Sequence, residues 1–389
     1  MSCFGDMLNE HGESSERVIA ELEDAQRKNH LFKDGRILSS MCTSPHEIAV
    51  LAHKMFIESN LGNPDLYPGT KELEQSIIKQ LSALFHGNDI FGHMTTGGTE
   101  ANITALWIAR KVTGKRQVIY PKSAHFSVIK AIDLLNMEPI EIGLNDEYQL
   151  SIDDCEAKIS NQTAAIVSIA GTTELGVIDP IERLSEICQD NYFLHVDAAF
   201  GGFVIPFLNE LGYPIPKFDF ELPGVRSFST DPHKMGLSTI PAGVLLYRDE
   251  QYLDRITVEA PYLISTKHTT LTGTKGSGAV AATYAVLRHL GRDGFKKVVK
   301  DCMENTEYLL SRVTELGLEP AIKPVLNVIG IKMKNAEKIQ KELAKIDWFV
   351  SKGRYPECIK IVIMPHVTRL VIDEFIPVFQ NVCRAQGEL

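Results

Sequence analysis

Residues 164–199, AAIVSIAGTTELGVIDPIERLSEICQDNYFLHVDAA, contain two short apolar runs separated by a stretch with helical spacing. Apolar runs of strand length that alternate with amphipathic helices are typical of parallel strands in a sheet covered by helices. The alternation continues on both sides of this stretch. We therefore predict an α/β domain with a mostly parallel central sheet over residues 61–275. Its other strand-like runs are residues 117–121, 139–143, 227–232 and 242–248, and its other helical runs are residues 99–111 and 125–135.

The segments outside this domain have different patterns. Two stretches before it have helical spacing, and a long helical stretch begins after it, followed by two further strand-like runs. These patterns predict a helical arm over residues 1–60, and a linking helix with a small α+β domain over residues 276–389. The helical stretches of the arm are residues 12–26 and 45–59, and the strand-like runs of the small domain are residues 325–333 and 359–364.

The composition excludes several classes of protein. Forty Lys and Arg against fifty Asp and Glu give a net charge of -10, which argues against a nucleic-acid-coating surface and a polybasic membrane anchor. Seven scattered cysteines without a CxxC pair indicate neither a disulfide framework nor a zinc site. The N-terminal stretch is too charged for a signal peptide, and no apolar run approaches the roughly 18 residues that cross a bilayer. We expect a cytoplasmic protein that binds neither nucleic acid nor membranes.

No metal site is expected either. His46 and His53 lie near Glu47, but the seven-residue separation of the histidines does not match the HExxH motif of zinc enzymes.

Three motifs carry groups with potential chemistry. In TTGGTEAN (95–102), two glycines precede a helical pattern, which suits either an ordinary turn or a phosphate-binding helix N-terminus, although neither a P-loop nor a GxGxxG spacing is present. Asp197 ends a strand-like run, where ligands of parallel sheets bind. Lys234 follows another such run, in STDPHKMG (229–236). Alone, Asp197 fits a turn cap and Lys234 a surface charge, but together the motifs supply the groups that hold pyridoxal phosphate.

The ordered motifs TTGGTEAN, AHFS (124–127), GTTELG (171–176), HVDAAFGG (195–202) and TDPHK (230–234) resemble those of the group II, fold-type I pyridoxal-phosphate-dependent amino-acid decarboxylases. The resemblance covers most of the chain and is strongest to the archaeal branch acting on tyrosine and aspartate. It implies a fold-type I architecture, pyridoxal 5′-phosphate as cofactor and a homodimer with active sites at the subunit interface. It also implies decarboxylation of L-tyrosine to tyramine for methanofuran synthesis, of L-aspartate to β-alanine for coenzyme A synthesis, or both.

The resemblance implies a role for each matching residue. Lys234 would bond covalently to the cofactor aldehyde, and Asp197 would pair with the protonated pyridine nitrogen and keep the ring a good electron sink. His125 would stack on one ring face and orient or protonate the substrate, while Ala199 would pack on the opposite face. Thr173 falls where the family contacts the phenolic oxygen. The residues that match phosphate-binding positions are Gly98, Thr99 and His233.

Two departures from the family pattern concern the loop before the linking helix. Residues 271–278, LTGTKGSG, resemble a GSRxG-type loop that approaches the phosphate of the partner subunit; the loop includes Thr274, and Lys275 stands where arginine is expected. Residues 261–274 are too short for the long mobile loop whose tyrosine protonates Cα in animal and plant relatives. The candidate substitutes are Tyr262 and His268, the candidate ligands of the substrate carboxylate are His366 and Arg369, and Tyr67 and His93 are further candidates to approach the pocket.

Two other functions remain open from the sequence. Related chains with a similar GSRxG loop are carbon–carbon lyases of phosphorylated sphingoid bases, although no transmembrane anchor is visible here. A catalytically silent phosphate-binding α/β protein would bind its ligand without forming a covalent bond through Lys234.

Overall fold

A seven-stranded sheet forms the centre of the molecule. The computed structural model describes residues 8, 10–87, 90–189, 191–264 and 266–389. The strands lie in the order β1-β7-β6-β5-β4-β2-β3 across the sheet. They are β1 (Phe91–Thr95), β2 (Gln117–Pro121), β3 (Glu138–Ile142), β4 (Thr163–Ile169), β5 (Phe193–Asp197), β6 (Val225–Thr230) and β7 (Gly243–Tyr247).

The predicted mostly parallel sheet is confirmed, with one strand that differs. Strands β6, β5, β4, β2 and β3 pair in parallel, whereas β7 is antiparallel to both of its neighbours, β6 and β1. The physical reason lies in the connection over residues 231–242, which contains no helix. A parallel crossover usually needs a helix, whereas an antiparallel neighbour needs only a loop. This loop carries Lys234 along the sheet edge where β6 ends.

Helices cover both faces of the sheet, as the alternation of patterns predicts. Successive residues of β4 point to opposite faces: Ile166 belongs to one hydrophobic core and Val167 to another. The helices of this part of the chain are α1 (Ser15–Arg27), α2 (Glu47–Met55), α3 (Pro68–Leu84), α4 (Gly98–Thr113), α5 (Phe126–Leu134), α6 (Ile152–Lys158), α7 (Ile181–Cys188), α8 (Ile205–Glu210) and α9 (Gln251–Asp254), and a two-stranded ribbon follows, β8 (Val258–Glu259) and β9 (Lys267–His268).

A small α+β unit with its own core follows the large sheet. It is reached through the helical stretch α10 (Ser277–Glu315), which changes direction at Gly291 because that residue has a φ of 56°. Its strands form an antiparallel sheet in the order β10-β12-β11, and its core includes Trp348 and Phe375. The elements are β10 (Val328–Lys332), α11 (Ala336–Ala344), β11 (Ser351–Arg354), β12 (Glu357–Val362) and α12 (Arg369–Ala385).

The parallel strands determine where a ligand can bind. Strands β4, β5 and β6 end side by side, so Ile169, Asp197 and the residues after Thr230 meet at one edge of the sheet. Ligands of open parallel sheets bind at this carboxyl edge.

The N-terminal helix α1 has no buried residue. Within the described residues, no helix combines the length and apolar character needed to span a bilayer.

Candidate active site

A cavity of about 300 Å³ lies at the carboxyl edge of the sheet. That volume is at the lower end of the range for small-molecule sites. All the predicted cofactor-binding residues except Thr274 line it, namely Gly98, Thr99, His125, Thr173, Asp197, Ala199, His233 and Lys234. The residues that complete the wall are Met41, Thr96, Gly97, Asn102, Ser123, Ile169, Gly171, Phe200 and Asp231.

Asp197 is a buried carboxylate surrounded by hydrogen-bond donors. It is the last residue of β5, and only 6% of its surface is exposed. Its Oδ2 accepts from Nδ2 of Asn102 at 2.7 Å, and its Oδ1 accepts from the backbone N–H of Ala199 at 3.0 Å. No ion pair with a lysine or arginine is formed by Asp197 within the described part of the chain. Because a carboxylate offers about four lone-pair sites, Asp197 can accept a further donor from the cavity.

Lys234 is held beside a second buried carboxylate. The loop after β6 brings its Nζ to 3.1 Å from Oδ2 of Asp231. Burial lowers the pKa of the Lys234 ammonium, but the charges of Asp231 and Asp197 outweigh that effect, so the pKa lies above its ordinary value. The amine is therefore stored as an ammonium next to the cavity.

His125 lines the cavity at the start of α5. It is the N-cap residue of that helix, and its Nδ1 lies 2.8 Å from Oγ of Ser127. Its ring centroid is 3.9 Å from that of Phe126. Burial lowers the pKa of His125, although Asp197 acts in the opposite direction. The imidazole is therefore neutral near pH 7.

The N-terminus of α4 forms one end of the cavity and has the features of an anion-binding end. No side chain caps this sixteen-residue helix, so N–H groups of its first turn remain available to a ligand. Gly97 has a φ of 144°, which few other residues adopt, and a Cβ on Gly98 would lie 3.2 Å from both Cβ of Ala199 and Oδ2 of Asp231. The glycines thus allow the backbone to follow the cavity wall closely.

These groups fit pyridoxal phosphate. An uncapped helix N-terminus suits a phosphate, Asp197 offers an acceptor to the ring nitrogen, and Lys234 offers an amine to the aldehyde. In addition, Oδ1 of Asp231 is buried without a hydrogen-bond partner. An unpaired buried polar atom is costly, so this one marks a place for a donor from a ligand or water.

The two candidates from the small domain lie away from the cavity. Nδ1 of His366 is 2.8 Å from Oγ1 of Thr43, and its Nε2 donates to the carbonyl of Ile37 at 2.8 Å. His366 therefore supports the segment that carries Met41, which does line the cavity. Arg369 is exposed at the start of α12, where its guanidinium stacks on Tyr308 at 5.2 Å.

The remaining substrate-side candidates also lie outside the cavity wall. Tyr262 is 86% exposed, His268 is in β9 beside Thr270, and Tyr67 is half-buried just before α3. His93 is buried in β1 with neither ring nitrogen paired, and burial lowers its pKa to about 3. None of these four residues is therefore in direct contact with a ligand that occupies the cavity of its own chain.

The loop before α10 does not present the free positive charge that its resemblance to a GSRxG-type loop predicts. Thr274 is exposed and does not line the cavity of its own chain. Lys275 is only 7% exposed, and its Nζ pairs with Oε1 of Glu74 at 3.0 Å. The positive charge expected at this loop is therefore neutralised inside the same chain.

Lys360 was not predicted from its motif, yet it faces the large domain. It lies in β12 between Cys358, which packs with Leu175 of the GTTELG loop, and Val362, which belongs to the main core. It is 7% exposed, and no ion pair or hydrogen bond to it is found among the described residues. Burial lowers its pKa, whereas Glu174 raises it. A lysine inside the apolar run CIKIVIM (358–364) is the signal that could have revealed it.

One potential metal-binding group occurs elsewhere in the described residues. His86, Asp219 and Glu221 bring ligand atoms within 4.8 Å of one another, and they line a different cavity. Asp219 already pairs with His86, and Glu221 with Lys217.

Comparison with protein families gives one model match over most of the chain. Residues 38–322 match the pyridoxal-dependent decarboxylase conserved domain. The chain is 46% identical over 370 residues to a probable L-aspartate decarboxylase of Archaeoglobus fulgidus, covering 94% of this chain and 99% of the relative. It is 44% identical to a probable L-tyrosine/L-aspartate decarboxylase of Methanocella arvoryzae, covering 95% and 98%. An L-aspartate/L-glutamate decarboxylase of Pyrococcus horikoshii is 43% identical, covering 94% and 96%.

Solved structures share the same architecture. The sphingosine-1-phosphate lyase of Burkholderia pseudomallei superposes with a TM-score of 0.90 at 27% identity, covering 98% of this chain and 93% of that chain. The glutamate decarboxylase of Lactobacillus brevis superposes with a TM-score of 0.88 at 21% identity, covering 99% and 95%. The arrangement of a central sheet and a small α+β unit is thus shared by enzymes that perform different reactions.

Proposed function

Because the chain belongs to the pyridoxal-dependent decarboxylase family, we propose that it removes the α-carboxylate of L-aspartate, giving β-alanine, of L-tyrosine, giving tyramine, or both. It has the fold-type I architecture, and its cofactor is pyridoxal 5′-phosphate. The observation that carries the proposal is the convergence of Lys234, Asp197 and His125 on one cavity. The products would supply coenzyme A synthesis through β-alanine and methanofuran synthesis through tyramine.

The cofactor and the chain have separate tasks in this reaction. Pyridoxal phosphate, when bound, supplies an electron sink for the electron pair that remains when the carboxylate leaves as carbon dioxide. Lys234 provides the amine that anchors the cofactor aldehyde. Asp231 holds that amine as an ammonium beforehand, so a proton must leave Nζ before the amine can attack.

Asp197 and His125 serve two different needs of the reaction: Asp197 acts on the charge of the cofactor ring, and His125 acts on a proton. Asp197 would accept a hydrogen bond from the ring nitrogen of the bound cofactor and would favour its protonated form, because a buried anion stabilises a nearby cation. His125 is placed to hold the proton that the substrate carbon needs after carbon dioxide has left. Ala199 and Thr173 line the same cavity, where Ala199 would leave room for the ring and Thr173 would offer its hydroxyl to the phenolic oxygen.

The buried positive charge of Lys360 favours an acidic substrate such as L-aspartate over L-tyrosine. A buried cation without a carboxylate partner carries a desolvation cost that an incoming carboxylate offsets. Lys360 faces the large domain beside the loop that contains Thr173, and Thr173 lines the cavity. Lys360 does not itself line the cavity, so we assign it as a nearby buried charge that attracts a substrate carboxylate, in place of the His366 and Arg369 candidates.

The activity is tested by product identification. The cofactor-loaded protein is incubated with L-aspartate, L-tyrosine and L-glutamate, and the amines are measured by mass spectrometry, with Lys234→Ala as the blank. We expect β-alanine from wild type and a loss of turnover on the order of 10⁴-fold or more in Lys234→Ala. Near-normal turnover in that variant would overturn the role of Lys234. Absence of every amine product, despite bound cofactor, would instead favour the carbon–carbon lyase reaction.

The assignment of Lys360 has its own test. Lys360→Met keeps the length of the side chain and removes its charge, so KM for aspartate should rise about 10- to 100-fold, corresponding to roughly 1.4–2.7 kcal/mol. The matched control is Lys352→Met on the adjacent strand, because Lys352 already pairs with Glu337. Steady-state kinetics provide the measurement. Equal KM values for Lys360→Met and wild type would contradict the assignment.

A homodimer is part of the proposal. Large apolar side chains are exposed on and just after α2, including Met55 at 70% and Ile57 at 73%, and Tyr262 and Ile264 are exposed before α10. Exposed apolar surface of this kind is typical of an interface. The exposed Thr274 loop would then reach the active site of the partner. Sedimentation equilibrium should give twice the chain mass of 43.3 kDa, and a monomer at micromolar concentration would contradict the dimer.

We also propose that the protein is located in the cytoplasm and that the chain is divided into domains as the sequence predicts. The six cysteines in the described residues are all free, which suits a reducing compartment. The large sheet and the small sheet each have a core of their own, which supports a cofactor-binding domain over residues 61–275 and a small domain after the linking helix within residues 276–389, while the arm over residues 1–60 contributes Ala49 to the first core and Leu38 to the second.

A further inference from the structure

The amide of Asn102 is buried in the cavity wall and uses its full hydrogen-bonding capacity. Its Nδ2 donates one hydrogen to Oδ2 of Asp197 at 2.7 Å and the other to Oγ of Ser127 at 2.9 Å. Its Oδ1 accepts from Nε2 of His195 at 2.9 Å and from Oγ of Ser229 at 3.3 Å. Asn102 is 1% exposed and His195 is fully buried. A side-chain amide has two donor hydrogens and one acceptor oxygen, so these contacts satisfy both ends.

The charge of Asp197 decides which way this amide points. In the opposite orientation, the amide oxygen would lie against the carboxylate, and two acceptors would face each other at hydrogen-bond distance. With Oδ1 turned toward His195, the Nε2 of that histidine must carry a proton. Its Nδ1 then accepts from the hydroxyl of Ser227 at 2.7 Å. Burial lowers the pKa of His195 to about 4, which agrees with a neutral ring.

The directions of the hydrogen bonds made by Ser127 determine the tautomer of His125. Because Oγ of Ser127 accepts from Asn102, its own hydrogen is free to be donated to Nδ1 of His125 at 2.8 Å. The backbone N–H of Ser127 donates to the same nitrogen at 3.3 Å. With two donors directed at Nδ1, the neutral ring carries its proton on Nε2.

We propose that Asn102 is a positioning residue which, through Ser127, links the carboxylate of Asp197 to the tautomer of His125 and so presents the Nε2 hydrogen of His125 to the cavity. The inference rests on the proposed function for its relevance to catalysis, but the network itself involves only side chains of this chain. Asn102 hydrogen-bonds Asp197 directly and reaches His125 through Ser127, so it acts through these two groups. Its role is to keep Asp197 a hydrogen-bond acceptor and Nε2 of His125 a hydrogen-bond donor.

The test uses two variants that damage the network to different degrees. Ser127→Ala removes the stronger of the two donors to His125 with little change in volume. Asn102→Asp keeps the shape of the side chain but places two carboxylates within hydrogen-bond distance, so one must take up a proton. The control is Thr104→Val, two residues further along α4, because its buried hydroxyl has no hydrogen-bond partner.

The main readout is the tautomer of His125 in the cofactor-loaded protein, measured by NMR of protein labelled with ¹⁵N-histidine. A His125→Gln variant assigns the signal. We expect wild type and Thr104→Val to carry the proton on Nε2, and Ser127→Ala to show a mixture of both tautomers. In Ser127→Ala, kcat should fall about tenfold with KM nearly unchanged, because only the proton-holding group is altered.

The second readout is the dissociation constant of pyridoxal phosphate from Asn102→Asp, measured by fluorescence titration. We expect it to rise about 100-fold, because Asp197 then shares a proton and no longer favours a protonated ring nitrogen. A proton on Nδ1 of His125 in wild type, or wild-type tautomers and kcat in Ser127→Ala, would overturn the inference. Amine product with the wrong tautomer defeats only this inference, whereas the expected tautomer without amine product defeats only the proposed decarboxylation.

Discussion

Asp197 and Asp231 are both buried aspartates at the ends of neighbouring strands, but their charges are compensated in different ways. Asp197 is 6% exposed and is held by uncharged donors, namely the amide of Asn102 and the backbone N–H of Ala199. Asp231 is 2% exposed and pairs with the ammonium of Lys234 at 3.1 Å, while its second oxygen has no partner. One carboxylate is thus held by fixed dipoles and the other by a cation.

This difference separates two tasks within one cavity. A carboxylate that is held by dipoles keeps its negative charge available for a cation that arrives with a ligand. A carboxylate that is paired with a lysine of the same chain stores that lysine in its protonated form, and it loses its partner when the amine reacts. We therefore propose that Asp197 acts on a bound group, whereas Asp231 controls when Lys234 becomes reactive.

Of the two carboxylates, the one held by dipoles should give the larger effect when it is removed. Asp197→Ala should lower kcat about 10³-fold, because the bound cofactor loses the charge that keeps its ring nitrogen protonated. Asp197→Glu is the charge-retaining control and should recover part of the rate. Stopped-flow or steady-state measurement of amine formation tests this expectation. A decrease of less than about tenfold in Asp197→Ala would remove the electron-sink role.

Breaking the ion pair between Asp231 and Lys234 should change the pH dependence of cofactor attachment. This effect should be smaller than the loss of kcat in Asp197→Ala. Asp231→Asn removes a charge that raises the pKa of Lys234, so the pKa should fall and the neutral amine should form at lower pH. Asp197 still raises that pKa, and burial still lowers it. The rate of covalent attachment of pyridoxal phosphate to the apoenzyme rises with pH as the ammonium loses its proton. Its pH profile should therefore move to lower pH in Asp231→Asn, with severalfold faster attachment near pH 7.

Absorbance after mixing the apoenzyme with pyridoxal phosphate follows this attachment. Lys71→Met is a suitable control, since that lysine pairs with Asp65 on the surface and does not line the cavity. Identical pH profiles for Asp231→Asn and wild type would show that the ion pair does not govern the reactivity of Lys234.

The sequence is most informative about groups that follow strands. The predicted run 117–121 coincides with β2, and the motifs that contain Gly98, Asp197 and Lys234 meet in one cavity. Their meeting follows from local order alone, because parallel strands bring their carboxyl ends to the same edge. The antiparallel direction of β7 was not predicted, since it depends on the absence of a helix in one connection.

Contacts between distant segments were much harder to predict. Asn102 lies in a quoted motif, but its role depends on Ser127 and Asp197, which are 25 and 95 residues away in the chain. His366 and Lys360 belong to neighbouring parts of the small domain, yet one supports the Met41 segment and the other faces the large domain. Strand alternation separates the faces of β12, but only tertiary packing decides which face meets the cofactor-binding domain.

The smallest expected effect concerns the anion-binding end, where Gly98 separates the two carboxylate environments. In Gly98→Ala, the new Cβ would lie 3.2 Å from both Cβ of Ala199 and Oδ2 of Asp231, which requires a shift of a few tenths of an ångström. Such crowding should weaken the binding of pyridoxal phosphate roughly threefold, because the backbone N–H groups of α4 move while both carboxylates keep their partners. Gly69→Ala on α3 is the matched control, since its Cβ meets nothing within 4 Å. Fluorescence titration of both variants tests the prediction. If pyridoxal phosphate bound more weakly to Gly98→Ala than to Asp197→Ala in the same titration, the phosphate end, and not the ring-nitrogen end, would dominate the organisation of the cavity.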